Sequence, residues 1–250
     1  MLQAVIDDDG ASSISKIARR VGIPIATAHR QVTSLAEFGY LAPISGGRYI
    51  AGPNLIKLVY QIDPIQSVVR LGRPIIEQLA KELQTTVHLG SFEGDMVTYC
   101  AKAGNPKFDL FTEVGGQLEA YCSGIGKVLL AHLPNEELMA YLASGPFVAL
   151  TPNTITDVGE LTSELAKVKA NRLAYDRGEI EEGLHCVAVP IFAPDGSVPL
   201  ALSASFREEA ATAEILRKAT ASLVSAQSAI EEMLSRVGTG SALSDCSVTR

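Results

Sequence analysis

Signals for membrane insertion, export and metal chemistry are missing from this sequence. No run of eighteen or more apolar residues occurs, so no transmembrane helix is expected. The chain opens MLQAVIDDDG, with three consecutive acids where a signal peptide needs basic residues and then a long apolar core, so no export signal is expected. The four cysteines, Cys100, Cys122, Cys186 and Cys246, contain no Cys-x-x-Cys pair. That spacing argues against a zinc ribbon or a disulfide framework and suits a reducing cytoplasm. His29, His88, His132 and His185 include no two at helical ligand spacing, so neither a metal site nor a cofactor is expected. Net positive charge is lacking too, since the chain carries −7.

That net charge hides its distribution. Between Ser15 and Lys57 the basic residues are Lys16, Arg19, Arg20, Arg30, Arg48 and Lys57, and the only acid is Glu37. The segment is therefore about +5, while the chain beyond residue 60 is strongly acidic. A small basic unit on a large acidic one predicts two domains with different partners. The 250 residues, 47% of them hydrophobic, can supply a core for each.

Apolar spacing predicts a short helix in SKIARRVG, capped by Ser13 or Ser15 and ended at Gly22. Ile23-Pro24 then turns the chain into a second helix over about Ile25 to Phe38, with Ala28, Val32, Leu35, Ala36 and Phe38 at helical spacing. YLAPISGGRYIAG reads as a hairpin around Gly46-Gly47, and Met1–Asp7 as the remainder of a supporting helix. Helix, turn, helix, hairpin is the order of a winged helix-turn-helix. Its second helix carries Thr27, His29, Arg30, Thr33 and Ser34. A lone polar helix would most simply be a solvated face. Here it comes with a partner helix, a Gly-Gly hairpin and a local charge excess, the combination expected of a helix that enters the DNA major groove. Arg30 can address guanine bidentately, His29 can donate to a base or phosphate, and Thr27 and Thr33 can bond either. Arg19 and Arg20 suit phosphates, and Arg48 in the hairpin suits the minor groove or backbone.

PNLIKLVYQI, over Pro53–Ile62, is predicted helical and amphipathic, with a boundary near Asp63-Pro64 and helix again from about Val68 to Leu83, bent at Pro74. TTVHLGSFEGDMVTYCAKAG reads as two strands around Glu93-Gly94-Asp95. Helices are expected from Gly124, after Pro134 and over Glu160–Leu173. A second hairpin turns at Pro194-Asp195-Gly196, and a closing helix spans Glu209–Arg236. Local hairpins mixed with long crossovers predict an α+β fold with a mostly antiparallel sheet. The expected division is residues 1–59 for DNA binding, 60–71 a linker helix, 72–236 a second domain and 237–250 a disordered tail.

Several motifs in order resemble the IclR (isocitrate lyase regulator) family of bacterial transcription factors. ISKIARRVGIPIATAHRQVTSLAEFGYL and GGRYIAGPNLIKL resemble its DNA-binding domain; YCSGIGKVLLAHLP, LAYDRGEIEEGLHCVAVPIF and LALSAS resemble its later segments. The resemblance spans roughly residues 1 to 236. Family members usually carry more chain before Leu2, so the first helix reads as shortened. The resemblance implies a winged helix-turn-helix followed by a GAF-like effector domain that binds small organic or aromatic carboxylic acids. It also implies a homodimer, often paired into a homotetramer, acting on an operator in double-stranded DNA, more commonly as a repressor. Paired heads make that operator palindromic. Asp176, Cys186, Ser203 and Ser205 match the implied effector pocket. Ser203 and Ser205 share one strand face, and the glycines at Gly124-Ile125-Gly126 open a helix N-terminus that favours an anion. Leu110 and Leu118 would add apolar wall. Lys127 would attract the anion or face solvent. Tyr121 and Cys122 depart from the small or His-type residues usual before that helix, and Tyr121 is a candidate to occlude the pocket.

Two other classes use the same residues. Cys122 or Cys186 with His132 or His185 holds the elements of a thiol enzyme. No third orienting group stands at recognisable spacing, however, and no catalytic residue is expected. A redox-responsive regulator would use Cys100, Cys122 or Cys186 as its input.

Overall fold

In a computed structural model, which describes residues 1–61, 63–104 and 110–238, the chain divides into two compact units, Met1–Pro64 and Ile65 onward. The expected tail lies outside the described residues from 239 on, as do Ile62 and Cys246.

The first unit is built from α1 (Leu2–Asp8), α2 (Ile14–Arg20), α3 (Ile25–Glu37), the antiparallel pair β1 (Leu41–Ile44) and β2 (Arg48–Ala51), and α4 (Pro53–Gln61). Its core is Val5, Ile14, Ile17, Ala18, Ala28, Val32 and Leu41, the apolar stripes of the three helices closed by the first strand. Gly22 and Gly39, both at positive φ, end α2 and α3. Asp8 is buried beneath this core. Its carboxylate accepts from the Ser12 N–H at 2.5 Å and pairs with Arg20 at 3.1 Å. Burial alone would raise the Asp8 pKa; the Ser12 and Arg20 contacts outweigh it and hold the carboxyl below its usual value.

The second unit is a six-stranded antiparallel sheet in the order β5-β4-β3-β8-β7-β6. The strands are β3 (Thr86–Glu93), β4 (Met96–Ala103), β5 (Gln117–Glu119), β6 (Ala174–Arg177), β7 (Leu184–Ile191) and β8 (Leu200–Arg207). On one face pack α5 (Pro64–Leu83) and α9 (Ala213–Gly238) against Val87, Leu89, Val187, Val189, Leu202 and Ala204. On the other lie α6 (Gly124–His132), α7 (Asn135–Ala143) and α8 (Val158–Asn171). The period of two in a strand separates the faces: Leu202 and Ala204 join the first core, while Ser203 and Ser205 point to the α6 side.

Several boundaries differ from the sequence expectation. The helix expected from Val68 begins at Pro64 and continues through Pro74. Val68 and Val69 are buried in the second unit's core, so the segment read as a linker over 60–71 is divided: α4 ends with the first unit, and the chain from Ile65 belongs to the second. Strands β5 and β6, three and four residues long, carry no alternation legible against their surroundings.

Two close approaches set α6 on the sheet. A Cβ on Gly90 would lie 3.2 Å from Ile125 Cγ2 and 3.1 Å from Val97 Cγ1, so the glycine lets the start of α6 descend onto β3. A Cβ on Gly126 would fall inside the Ala120 backbone. Gly126→Ala is therefore expected to destabilise the protein by about 1–3 kcal/mol or more, whereas at Gly124 the added methyl meets Ala188 Cβ at an ordinary 3.4 Å. Denaturant unfolding of the two variants checks this; equal stabilities would refute the close-approach role of Gly126.

Candidate DNA-reading surface and effector cavity

In the first unit, burying Ala28 and Val32 turns the opposite side of α3 outward. His29, Arg30, Thr33 and Ser34 are exposed on it and Thr27 is half-buried at its edge. Spacing of three and four places Arg30, Thr33 and Ser34 as neighbours on this surface. His29 Nε2 lies 3.4 Å from Ser15 Oγ, so α2 contributes a hydroxyl that the sequence reading passed over. Among the described residues Lys16, Arg19 and Arg30 make no ion pair.

Two of the expected DNA contacts have work inside the protein. Arg20 pairs with the buried Asp8 carboxylate and also donates to Ala4 O at 3.5 Å. Arg48 does not reach out from the hairpin. Its guanidinium donates to Ser45 O at 2.8 Å, Ser45 Oγ at 3.2 Å and Gly10 O at 3.3 Å, holding the β1–β2 turn to the end of α1. A guanidinium beside three carbonyl and hydroxyl acceptors satisfies them locally, and sequence spacing could not place Gly10 beside Ser45.

In the second unit one cavity opens at the N-terminus of α6. Leu110, Leu118, Gly124, Ile125, Asp176, Cys186, Ser203 and Ser205 all line it. Ser123, just before Gly124, lines it too, as do His88, Tyr99, Phe111, Thr112, Ile180 and Leu184, which the sequence does not mark as pocket residues. Tyr99 escaped for a definable reason. Leu89 pairs with Ala101 and Gly90 with Tyr99, so Cys100 is an extra residue in β4. Across this bulge the odd-numbered residues change faces: Ala101 and Ala103 pack under α5 and α9, Val97 and Tyr99 under α6.

The cavity's free volume is about 20 Å³, room for about one water. One wall is the segment Leu110–Thr112. Lys102 Nζ donates to Leu110 O at 2.9 Å and Thr112 O at 2.7 Å, and Thr112 Oγ1 lies 2.8 Å from His88 Nε2. Burial, with the Lys102 charge nearby, pushes the His88 pKa down to about 3, so this imidazole is neutral. The first N–H groups of a helix lack intrahelical acceptors. That of Gly126 is taken by Ser123 Oγ at 3.1 Å, which leaves those of Gly124 and Ile125 at the cavity wall.

Asp176 is 1% exposed and its Oδ1 accepts from the Glu179 N–H at 2.7 Å. Its Oδ2 is buried without a hydrogen-bond partner. Burial pushes the carboxyl up to about 7; the Glu179 carboxylate adds to that, and the Glu179 N–H and the Lys127 charge oppose it. Lys127 neither faces solvent nor lines the cavity. It is fully buried and its Nζ meets Glu179 Oε1 at 2.6 Å. Thr151 and Thr154 hydroxyls donate to Glu179 O at 3.4 and 2.6 Å. Tyr121 does not occlude the cavity: its hydroxyl donates to Val148 O at 2.7 Å and its ring packs on Phe147.

The thiols are poor nucleophiles here. Burial pushes Cys122 up to about 12 and Cys186 well above its ordinary value. Cys186 Sγ donates to Ser205 Oγ at 3.2 Å. His185, its neighbour in β7, points to the opposite face of the strand, and His132 Nδ1 lies 2.8 Å from Val128 O.

Comparison with known proteins agrees over most of the chain. Residues 1–43 match the profile of the IclR helix-turn-helix domain, and residues 65–232 that of the bacterial transcriptional regulator IclR C-terminal domain. The Pca regulon regulatory protein of Pseudomonas putida is 28% identical over 207 residues, covering 82% of this chain and 71% of that protein. The crystal structure of the Thermotoga maritima IclR superposes with a TM-score of 0.64 at 27% identity, covering 93% of this chain and 96% of that one. An IclR homolog from Microbacterium hydrocarbonoxydans, solved in complex with 4-hydroxybenzoate, superposes with a TM-score of 0.64 at 25% identity, covering 94% and 97%. Fold and site thus define a helix-turn-helix regulator carrying an effector-binding domain. The chain belongs to the IclR family of DNA-binding transcriptional regulators.

Because the Lys127–Glu179 pair is fully enclosed, removing one partner strands a charge in the interior. Lys127→Met is expected to cost about 3–5 kcal/mol, and the double change Lys127→Met with Glu179→Gln to recover a large part of it. A double-mutant cycle by denaturant unfolding measures the coupling; additive losses would show that the two charges are not energetically joined.

Proposed function

We propose that this protein is a cytoplasmic repressor that binds a palindromic operator as a homodimer or homotetramer and responds to a small organic or aromatic carboxylic acid. The DNA is read by the outer side of α3. Arg30 addresses a base edge, His29, Thr27 and Thr33 bond bases or phosphates, and Arg19 contacts the backbone. Arg20 and Arg48 act indirectly, the first by fixing α1 against α2 and the second by shaping the hairpin.

The observation that carries the effector reading is the convergence, on one closed cavity, of the α6 N-terminus with the hydroxyls of Thr112, Ser123, Ser203 and Ser205. A helix N-terminus presents N–H groups and a favourable dipole to an anion. Tyr99, Phe111 and the neutral His88 ring offer flat surfaces to an aromatic acid, the class bound by the Microbacterium hydrocarbonoxydans relative. A cavity with room for about one water admits such an acid only if its walls move apart, so binding selects a conformation different from this one. That differential affinity lets a ligand shift an equilibrium. A coupling of about 1–3 kcal/mol changes operator occupancy about 5–150-fold. Ile56 and Tyr60, exposed on α4, would supply the apolar seam between copies.

Arg30→Ala is expected to abolish specific footprinting on the operator while leaving the melting of the second unit unchanged; an intact footprint would remove α3 from the reading role. In a thermal-shift screen of mono-, di- and keto-carboxylic and aromatic acids, a true effector at a hundred times its Kd adds about 2.7 kcal/mol. Failure of every acid to raise the melting temperature would overturn the anion reading of the cavity.

A further inference from the structure

The cavity proposed to take an acid contains an acid of its own. Asp176 lines the cavity; its Oδ2 is buried without a hydrogen-bond partner, while Oδ1 is held by the Glu179 N–H at 2.7 Å. No cationic side chain stands among the lining residues to compensate a second negative charge. Each charged or titratable neighbour of Asp176 is otherwise engaged or neutral. On α6, Lys127 is paired with Glu179 at 2.6 Å. On β3, His88 is neutral, and the Lys102 charge beyond it is directed to the carbonyls of Leu110 and Thr112. The Tyr99 hydroxyl on β4, the Cys122 thiol before α6 and the Cys186 thiol on β7 are all pushed up by burial and so remain protonated. Arg177 and His185, next along β6 and β7, do not line this cavity: the Arg177 guanidinium lies 4.0 Å from Glu164 on α8 and over the Tyr175 ring. Two carboxylates in this enclosure cannot both be ionised, for the reason that carboxylate dyads share a proton.

We propose that Asp176 is the proton site and the specificity determinant of the effector cavity: an ionised carboxylic acid binds only together with one proton, held between Asp176 Oδ2 and an oxygen of the effector carboxylate. The proton comes from solvent. No bond other than the O–H on Asp176 forms, and the second effector oxygen remains free for the N–H groups of Gly124 and Ile125. This inference rests on the effector reading of the cavity. It predicts how ligands are told apart: an acid whose carboxylate is inserted at α6 binds with uptake of a proton above the Asp176 pKa, whereas a neutral amide analogue, which Asp176 can meet as an acceptor, binds without one.

Burial pushes Asp176 up to about 7, which fixes the form of the dependence. Below that value the proton is already in place, and affinity is flat so long as the effector stays ionised. Above it each acid bound takes up one proton, and Kd rises about tenfold per pH unit. The isosteric variant Asp176→Asn separates this from a merely structural role. Its Oδ1 still accepts from the Glu179 N–H and its Nδ2 donates permanently where the protonated acid would.

The test uses the full-length protein, with 4-hydroxybenzoate and the hits of the acid screen as probes, titrated calorimetrically between pH 5.5 and 9 in buffers of different ionisation enthalpy. The expected wild-type result is nearly one proton absorbed per acid at pH 8.5, close to none at pH 5.5, and a Kd about fiftyfold weaker at pH 9 than at pH 7. Asp176→Asn is expected to bind with a pH-independent Kd and no proton uptake. Wild-type binding without a pH slope overturns the proposal while leaving the effector site standing, and a slope retained in Asp176→Asn overturns it by placing the proton on another group. Absence of binding by every acid at every pH removes the anion site and the proposal with it.

Discussion

One buried ion pair ties α6 to the end of β6 in the second unit. Lys127, on the inner side of α6, reaches Glu179 in the connection after β6, and both side chains are almost wholly shielded from water. Neither charge is tolerable there alone, since a single buried ion carries a desolvation penalty of several kcal/mol. The pair therefore fixes where α6 lies relative to the end of β6. Everything at the cavity follows from that placement. The Glu179 N–H is directed at Asp176 Oδ1, the α6 N-terminus meets the Ser203 and Ser205 side of the sheet, and Thr151 and Thr154 close over the Glu179 carbonyl. The bond from Lys127 is spent on structure, which is why the helix that faces the cavity contributes backbone dipole and no side-chain cation to it.

The same division between structural and outward-facing charge operates in the first unit. Six basic residues in a short segment invite the conclusion that all six face a polyanion. Two of them also make bonds within the protein, Arg20 to the buried Asp8 and Arg48 to Ser45 and Gly10. Arg19 and Arg30 keep their donors for solvent or a partner. Local charge excess thus identifies the class of surface, while the hydrogen bonds identify which side chains belong to it.

What could be read from the sequence follows the range of the interaction that encodes it. The helices α2 and α3 were legible because Ala28 and Val32 repeat at helical spacing and Gly22 and Gly39 punctuate it. The hairpins were legible because Gly46-Gly47, Gly94-Asp95 and Asp195-Gly196 are local turn chemistry. The facing of Ser203 and Ser205 needed only strand alternation. Strands β5 and β6 are too short for alternation to register. Tyr99 was hidden by the bulge at Cys100, which breaks the period of two. Lys127 reads from sequence as either an anion contact or a solvent-facing residue because its partner is 52 residues away, and no spacing rule relates them. The pocket positions Asp176 and Cys186 came from family resemblance; the structure brings them beside α6 through long-range pairing of β6, β7 and β8.

A nearly closed cavity and an uncompensated carboxyl point to the same property. A site open to water and lined by a lysine would bind many acids and report little, because the bound and free forms of the protein would differ only by the ligand. On the proposed reading an acid would have to displace the wall that Lys102 holds at Leu110 and Thr112, and would meet a carboxyl that tolerates it only when neutral. Each requirement lowers the intrinsic affinity for an acid, and each ties what affinity remains to a distinct state of the protein. Regulation depends on that difference between states rather than on tight binding as such. On the proposed reading, the features that make the cavity look unfavourable for an anion are the ones that would let an anion act as a signal.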